Sequence, residues 1–145
     1  MKVNTMKVLL AVDGSAYSKK MLAYLSTHES LLNASNEYHV FTAQPALPPR
    51  ARAAVGKEIV DKYHTEEAEK VLAPITKFLL RHGVNASGSW KVGSAGATIA
   101  KVAEDGKFDL VVMGSHGHSA LANLVMGSVA TQVLAQCKVP VLLVR

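Results

Sequence analysis

Residues 6–15 read MKVLLAVDGS, an aliphatic run that ends in an acidic residue, a glycine and a serine. The apolar residues 8–12 are contiguous rather than alternating, which predicts a strand buried on both faces. Asp13 and Gly14 then predict a turn, and Ser15 can cap a following helix. A buried strand that passes through a short turn into a helix is typical of a parallel α/β sheet.

The rest of the chain repeats this alternation. Residues 44–56 carry Pro45, Pro48 and Pro49, which predicts a connecting loop. We expect Pro74 to bend a long helix. The predicted strands are 6–12, 37–43, 84–92, 108–113 and 140–144, and the predicted helices are 16–32, 57–82, 94–104 and 128–136. The pattern predicts one α/β domain over residues 1–145, with a parallel sheet and helices on both of its faces.

Composition narrows the class of protein. The chain has 145 residues and is 49% hydrophobic, enough for one core. We find no signal-peptide pattern and no apolar run of the ~18 residues that a membrane span needs. The single cysteine, Cys137, excludes an intramolecular disulfide. These features predict a soluble, unexported protein of the cytoplasm.

Charge gives little sign of a nucleic-acid partner. The net charge is +5, from 16 basic and 11 acidic residues. Specific nucleic-acid binding proteins gather Lys and Arg into a patch. Here Lys19-Lys20 is the only adjacent basic pair, and the other basic residues are dispersed. We therefore expect a solvated basic surface and no specific nucleic-acid site.

Glycines follow the fourth predicted strand, at the edge of the sheet where parallel α/β folds bind ligands. They are Gly114 and Gly117, with Gly127 and Ser128 at the start of the last predicted helix. Glycines permit positive φ and close backbone approach, and a helix N-terminus attracts phosphate. The alternative is that the glycines form tight turns and that Ser128 only caps the helix.

The spacing Gly114-x-x-Gly117-(nine residues)-Gly127-Ser128 resembles the ATP-binding pattern of the universal stress protein family. Three further segments resemble the family in the same order: KVLLAVDGSAYSKKML at 7–22, WKVGSAGATIAKVAED at 90–105 and CKVPVLLVR at 137–145. The resemblance therefore covers nearly the whole chain. It implies a regulatory, stress-response protein that binds ATP.

The resemblance also implies a five-stranded sheet of order 3-2-1-4-5 and a role for individual residues. Asp13 would face the ribose or a metal ion, with Mg²⁺ as a companion of ATP. Ala43 would meet the adenine through its backbone. The residues that would flank adenosine or hold ribose and phosphates are Ala11, Val12, Asp13, Met113, Gly114, Gly117, His118, Gly127, Ser128 and Val129. The last strand, an apolar sheet edge, would pair with a second copy through Val141 and Leu143.

Three positions depart from the family pattern. His118 stands where the family often has Arg or Lys, and a neutral imidazole attracts phosphate less. Ala120 replaces a frequent Gly, and Ala95 a frequent Pro.

Other readings remain open on the residues alone. An enzyme would rely on His116 or His118, because the chain has no G-x-x-x-x-G-K-[ST] motif. We expect no catalytic residue and little or no hydrolysis. The serious rival is an interaction module of the same fold without a nucleotide. A phosphoacceptor domain would need an acidic pair next to Asp13 and a late lysine, and a flavin site would need an aromatic residue beside the glycines.

Overall fold

The computed structural model describes residues 5–28, 33, 35–117 and 126–145. Strands and helices alternate along these ranges. The strands are β1 (Lys7–Ala11), β2 (Glu37–Gln44), β3 (Ser87–Val92), β4 (Leu110–Gly114) and β5 (Val141–Val144). The helices are α1 (Ala16–Ser26), α2 (Pro49–Val55), α3 (Lys57–Arg81), α4 (Ala95–Asp105) and α5 (Ser128–Gln136).

All five strands form one sheet in the order β3-β2-β1-β4-β5, and each pairing is parallel. The fold class and the strand order are thus confirmed. Strand β1 lies at the centre, where Ala11 is level with Phe41 of β2 and with Met113 of β4. Leu9 and Leu10 of β1 are both fully buried, so the central strand is covered on both faces.

Each face of the sheet has its own core. Helices α1 and α3 cover one face and contribute Met21, Leu22, Leu25, Ala68, Leu72, Ile75 and Leu79. Helices α4 and α5 cover the other face and contribute Ile99, Ala103, Ala130 and Val133. Each fully buried Leu or Ile is worth about 1.5–3 kcal/mol. Cys137 is half-buried against the second of these cores.

The predicted loop at 44–56 is wrong in part, because α2 occupies Pro49–Val55. Pro49 stands in the first turn, where its missing N–H costs nothing. None of the seven residues of α2 is buried, so no apolar periodicity marks this helix in the sequence. The predicted strand at 84–92 begins only at Ser87. Helix α1 ends at Ser26, and part of its predicted extension to 32 lies outside the described residues.

None of the helices described is long and apolar enough to cross a membrane.

Candidate functional site

The carboxyl ends of β1 and β4 meet where the strand order reverses. After β1 the chain enters α1 on one face of the sheet, and after β4 it leads to α5 on the other face. The diverging connections open a crevice, which is where parallel α/β sheets bind their ligands. Val12 and Asp13 follow β1, while 115–117 follow β4, so the fold brings two distant predicted segments together.

Asp13 holds the turn that starts α1. Its Oδ1 accepts hydrogen bonds from the Ser15 N–H at 2.9 Å and from the Ser18 hydroxyl at 2.8 Å. The Ser18 oxygen in turn accepts the Asp13 N–H at 3.1 Å. Gly14 has a φ of +78°, which side chains disfavour, so this turn requires a glycine. Ser15 is the N-cap of α1, as predicted.

The other carboxylate oxygen of Asp13 lies beside Gly117, in residues 114–117, which are here called the glycine segment. A Cβ atom added to Gly117 would stand 2.8 Å from Asp13 Oδ2, too close for a real side chain. Asp13 and Gly117 are therefore in direct contact only because Gly117 lacks a side chain. The resemblance implied this neighbourhood, and the structure places the two residues together.

Gly127 closes back onto the end of β4. Its N–H donates to the Ser115 carbonyl at 2.7 Å. A Cβ atom on Gly127 would lie 3.1 Å from His116 Cα and 3.2 Å from the Ser115 oxygen. Its φ is −74°, and Gly114 and Gly117 are likewise absent from the positive-φ residues. Close approach, and not left-handed backbone, is thus the reason for glycine at these positions.

The N-terminus of α5 borders the same crevice. Gly127 is the N-cap, so the alternative that Ser128 serves as the cap is wrong. Ser128 is the first helical residue and is exposed, while Val129 is half-buried against the α4/α5 core. Because Gly127 has no side chain, it cannot cap the first amides of α5. A helix N-terminus with bare amides and an adjacent hydroxyl can bind an anion.

The remaining predicted residues of the described ranges lie at or near the carboxyl ends of β1, β2 and β4 or in α5. Ala11 and Met113 are buried on the α4/α5 face, and Val12 is buried on the opposite face. Ala43 is half-buried and, by the β1–β2 register, lies level with the residues just past β1. Gly114 has a packing reason of its own, since a Cβ atom there would lie 2.7 Å from Tyr17 Cβ. His118 lies outside the described residues.

Two side chains beside the crevice, Tyr17 and Lys20, were missed by sequence reasoning, whereas their neighbour His116 was named as a possible catalytic residue. The ring centroids of Tyr17 and His116 are 4.7 Å apart, and Lys20 Nζ lies 5.0 Å from the centroid of the Tyr17 ring. The Ser115 hydroxyl bonds His116 Nδ1 at 2.8 Å. The three-residue spacing of Tyr17 and Lys20 on α1 places them on one helix face, but nothing in the sequence connects them to His116.

Metal ligands are sparse in the described ranges. They contain no group of three or more His, Cys, Asp or Glu side chains that could hold a metal ion. Asp13 is the acidic residue at the crevice, so a cation there would need oxygen ligands from a bound phosphate and from water.

A cavity of about 400 Å³ lies elsewhere, near the amino ends of β1 and β2. His39 lines it, and burial, reinforced by the nearby Lys7, lowers the pKa of His39, against an opposing effect of Glu37. Two lysines and two carboxylates share the lining, so its charges favour neither an anion nor a cation. The lining residues are Lys7, Glu37, His39, Ser89, Lys91, Val102, Asp105, Gly106 and Phe108.

Known proteins with similar sequences share one family. The family model of the Universal stress protein family matches residues 4–145. Universal stress protein Slr1230 from Synechocystis sp. is 36% identical over 140 residues, which cover 96% of this chain and 42% of Slr1230. Universal stress protein MJ0577 from Methanocaldococcus jannaschii is 37% identical over 81 residues, 56% of this chain and 50% of that protein. The chain thus spans about half the length of these two relatives.

Solved structures of universal stress proteins have a fold similar to that of this chain. A structure of MJ0577 superposes with a TM-score of 0.78 at 28% identity, covering 97% of this chain and 96% of that one. A universal stress protein from Archaeoglobus fulgidus in complex with dAMP gives a TM-score of 0.69 at 18% identity, covering 99% and 100%. One from Arabidopsis thaliana with AMP bound gives 0.70 at 15%, covering 96% and 90%. At these last two identities the likeness shows the fold alone. Because the family model matches residues 4–145, the chain belongs to the universal stress protein family.

Proposed function

We propose that residues 1–145 form one universal stress protein domain that binds ATP in the crevice between β1 and β4 and acts as a regulatory, stress-response protein of the cytoplasm. One observation carries the proposal. Asp13, Gly117 and Gly127 meet at the point where the strand order reverses, beside the N-terminus of α5, whose N-cap Gly127 makes no side-chain capping bond. A carboxylate that could meet a ribose and a helix N-terminus that could meet phosphates would thus lie side by side.

The phosphate half of the site consists mainly of backbone groups. Amides of residues 116 and 117 and of the first turn of α5 would hold the phosphates, and the Ser128 hydroxyl would add one hydrogen bond. A helix N-terminus carries a partial positive charge of about half a unit, which favours an anion. Met113, Gly114 and Val129 would complete the wall of this half, and we include His118, which lies outside the described residues, among the residues that bind the nucleotide.

The adenosine half would lie towards β2. Ala11 and Val12 would flank the nucleoside, and the Ala43 backbone would meet the adenine. Two structural neighbours hold AMP and dAMP, which supports an adenine nucleotide as the class of ligand. The triphosphate is the further step of our proposal, and it rests on the glycine segment and on α5.

Mg²⁺ would accompany the ATP. A Mg²⁺ ion in proteins commonly takes one or two carboxylates together with phosphate oxygens and waters. The single carboxylate of Asp13 fits that requirement, since one of its oxygens is engaged in the turn and the other faces Gly117. When bound, the ion would neutralise part of the phosphate charge.

We also propose that the protein binds ATP without rapid turnover. Fast phosphoryl transfer needs a cation fixed at the γ-phosphate and a group that orients the attacking water. The His116 ring is hydrogen-bonded to the Ser115 hydroxyl and packs on Tyr17. This arrangement suits a residue that lines the crevice better than a general acid or base. Steady phosphate release faster than about one per second, near the lower end of typical enzyme rates, would overturn this proposal.

The deciding experiment compares two serines at helix N-termini. We expect Ser128→Ala to weaken ATP binding about ten- to a hundredfold, because a hydrogen bond to a charged group is worth about 1.5–3 kcal/mol. Ser94 is the matched control: it is the exposed N-cap of α4 and makes no side-chain capping bond. Calorimetric titration of both Ala variants with ATP and Mg²⁺ measures the difference.

Two results would contradict the proposal. In one, the wild-type protein binds no adenine nucleotide and releases none on acid treatment, which would favour the interaction-module reading. In the other, Ser94→Ala and Ser128→Ala weaken ATP binding equally, which would move the phosphates away from α5.

A further inference from the structure

Lys20, Tyr17 and His116 form a continuous row beside the crevice, here called the Lys20–Tyr17–His116 stack. The Lys20 ammonium lies 5.0 Å from the centre of the Tyr17 ring, and that ring is 4.7 Å from the ring of His116. The backbone of His116 in turn lies within 3.1 Å of the Cβ position of Gly127. Contacts therefore run unbroken from α1 to the segment where phosphates would bind.

Tyr17 and His116 are each held in place by the end of β4 and the residues that follow it. Tyr17 Cβ lies only 2.7 Å from the Cβ position of Gly114, so the first turn of α1 is pressed against the end of β4. The Ser115 hydroxyl fixes His116 Nδ1 at 2.8 Å. An ammonium is attracted to the face of an aromatic ring, which biases Lys20 towards Tyr17.

Lys20 also lacks a carboxylate partner in the described ranges. The ion pairs found there join Lys62 to Glu66, Lys70 to Glu67 and Lys101 to Asp105. Helix α1 has no acidic residue at all, so nothing on its own helix competes for the Lys20 charge. A solvated ammonium on a flexible stem, held beside an anion site, can reach a phosphate that extends beyond the backbone amides.

We propose that the Lys20–Tyr17–His116 stack selects nucleoside triphosphates over monophosphates; this rests on the function proposed above. Backbone amides and Ser128 suffice for one phosphate. The further charges of a triphosphate favour a cation in addition to Mg²⁺, and the Lys20 ammonium lies 5.0 Å from the Tyr17 ring, which is itself 4.7 Å from the ring of His116. Lys20 is the group that supplies it, and Tyr17 positions Lys20.

The test measures ATP and AMP affinities of four proteins by calorimetry. We expect Lys20→Gln to weaken ATP about five- to tenfold and to leave AMP within about twofold, as a charge-assisted hydrogen bond to phosphate is lost. Lys19→Gln is the matched control, because it removes the same charge from the adjacent, exposed position of α1. Tyr17→Phe keeps the aromatic ring and should keep the ATP-to-AMP ratio.

The outcomes separate the selectivity inference from the proposed ATP-binding function. If the wild type binds neither nucleotide, both the ATP-binding function and the selectivity inference are overturned. If it binds both and Lys20→Gln lowers them equally, or if Lys19→Gln lowers ATP as much as Lys20→Gln does, only the selectivity inference is overturned. A selective loss of ATP in Lys20→Gln alone supports it.

Discussion

Among single residues, His64 carries a buried nitrogen that no described residue pairs. It lies on α3 with only 3% of its surface exposed, and its Nδ1 has no hydrogen-bond partner among the residues that the structure describes. The rings of Tyr63 and Trp90 lie 5.4 Å and 6.2 Å from it. A buried nitrogen left unpaired costs about 1–3 kcal/mol, so His64 lowers the stability of the fold.

We therefore expect His64→Leu to raise the free energy of unfolding by about 1 kcal/mol, since leucine has similar size, no polar atom and a higher helix propensity. Urea denaturation followed by circular dichroism measures the change. His82→Leu, at the C-cap of the same helix, is the control, because His82 is exposed and its Nδ1 bonds the Phe78 carbonyl at 2.9 Å. It should not stabilise the protein. A loss of stability in His64→Leu would refute the prediction.

The sequence predicted those residues of the candidate site that belong to a recognisable local motif. The spacing of Gly117, Gly127 and Asp13 around buried strands pointed to one edge of the sheet, and the fold brings these residues together. Tyr17 and Lys20 were not predictable, because their meaning depends on contacts between α1 and β4 that no local pattern encodes. The sequence allowed either positive φ or close approach as the reason for these glycines, and the contacts between segments show that it is close approach.

Among the secondary-structure elements, the strands β2 and β3 are linked through a histidine. His39 of β2 places Nδ1 2.6 Å from the Ser87 hydroxyl and Nε2 2.6 Å from the Ser89 hydroxyl, both on the edge strand β3. Burial, with Lys7 adding to it and Glu37 opposing it, lowers the pKa of His39 below the ordinary 6.5. The folded protein thus prefers the neutral ring.

This lowered pKa predicts a loss of stability in acid. Between the folded pKa and about 6.5 the unfolded chain binds more protons, so the His39 contribution is present above 6.5 and is lost as pH falls through the folded pKa. His39→Gln removes the titrating group and should flatten the fall in urea midpoint between pH 7.5 and pH 5.5. His28→Gln, at an exposed position, should leave the slope unchanged. An unaltered slope in His39→Gln would contradict the argument.

Elements were predictable in proportion to the apolar surface they bury. Strands β1 and β4 are solidly aliphatic, and the sequence located both to within one or two residues at each end. Helix α2 buries nothing and was missed, while Val84 is 3% exposed yet precedes β3, so a buried residue was mistaken for the start of a strand.

For the molecule as a whole, the two edges of the sheet differ. The β3 edge reads SGSWKV and is mostly polar, whereas the β5 edge reads VLLV and leaves Val141 and Leu143 half-exposed. Among the described strands β5 pairs only with β4, so its outer edge offers N–H and C=O groups to another strand. We propose that two copies pair through β5, as the family resemblance implies.

Backbone hydrogen bonds connect the same edge to the crevice. The Val144 carbonyl accepts the Ser115 N–H at 2.9 Å, and the Ser115 carbonyl accepts the Gly127 N–H at 2.7 Å. Two hydrogen bonds therefore join the proposed dimer strand to the glycine segment. Since whatever orders one end of this chain of bonds favours the other, ATP should tighten the dimer.

Val141→Asp should shift the protein to monomer, because it places a charge in an apolar interface without a partner. The control is Val92→Asp on β3, where an equally drastic change falls on the opposite edge at a residue that is 44% exposed. Sedimentation velocity at micromolar protein, with and without ATP, should give a dimer for the wild type and Val92→Asp, and a monomer for Val141→Asp. A monomeric wild type in both conditions, or a dimer that only Val92→Asp breaks, would remove β5 from the interface. If Val141→Asp is monomeric and also binds ATP more weakly, the link through Ser115 operates in both directions, since coupling between two sites is reciprocal.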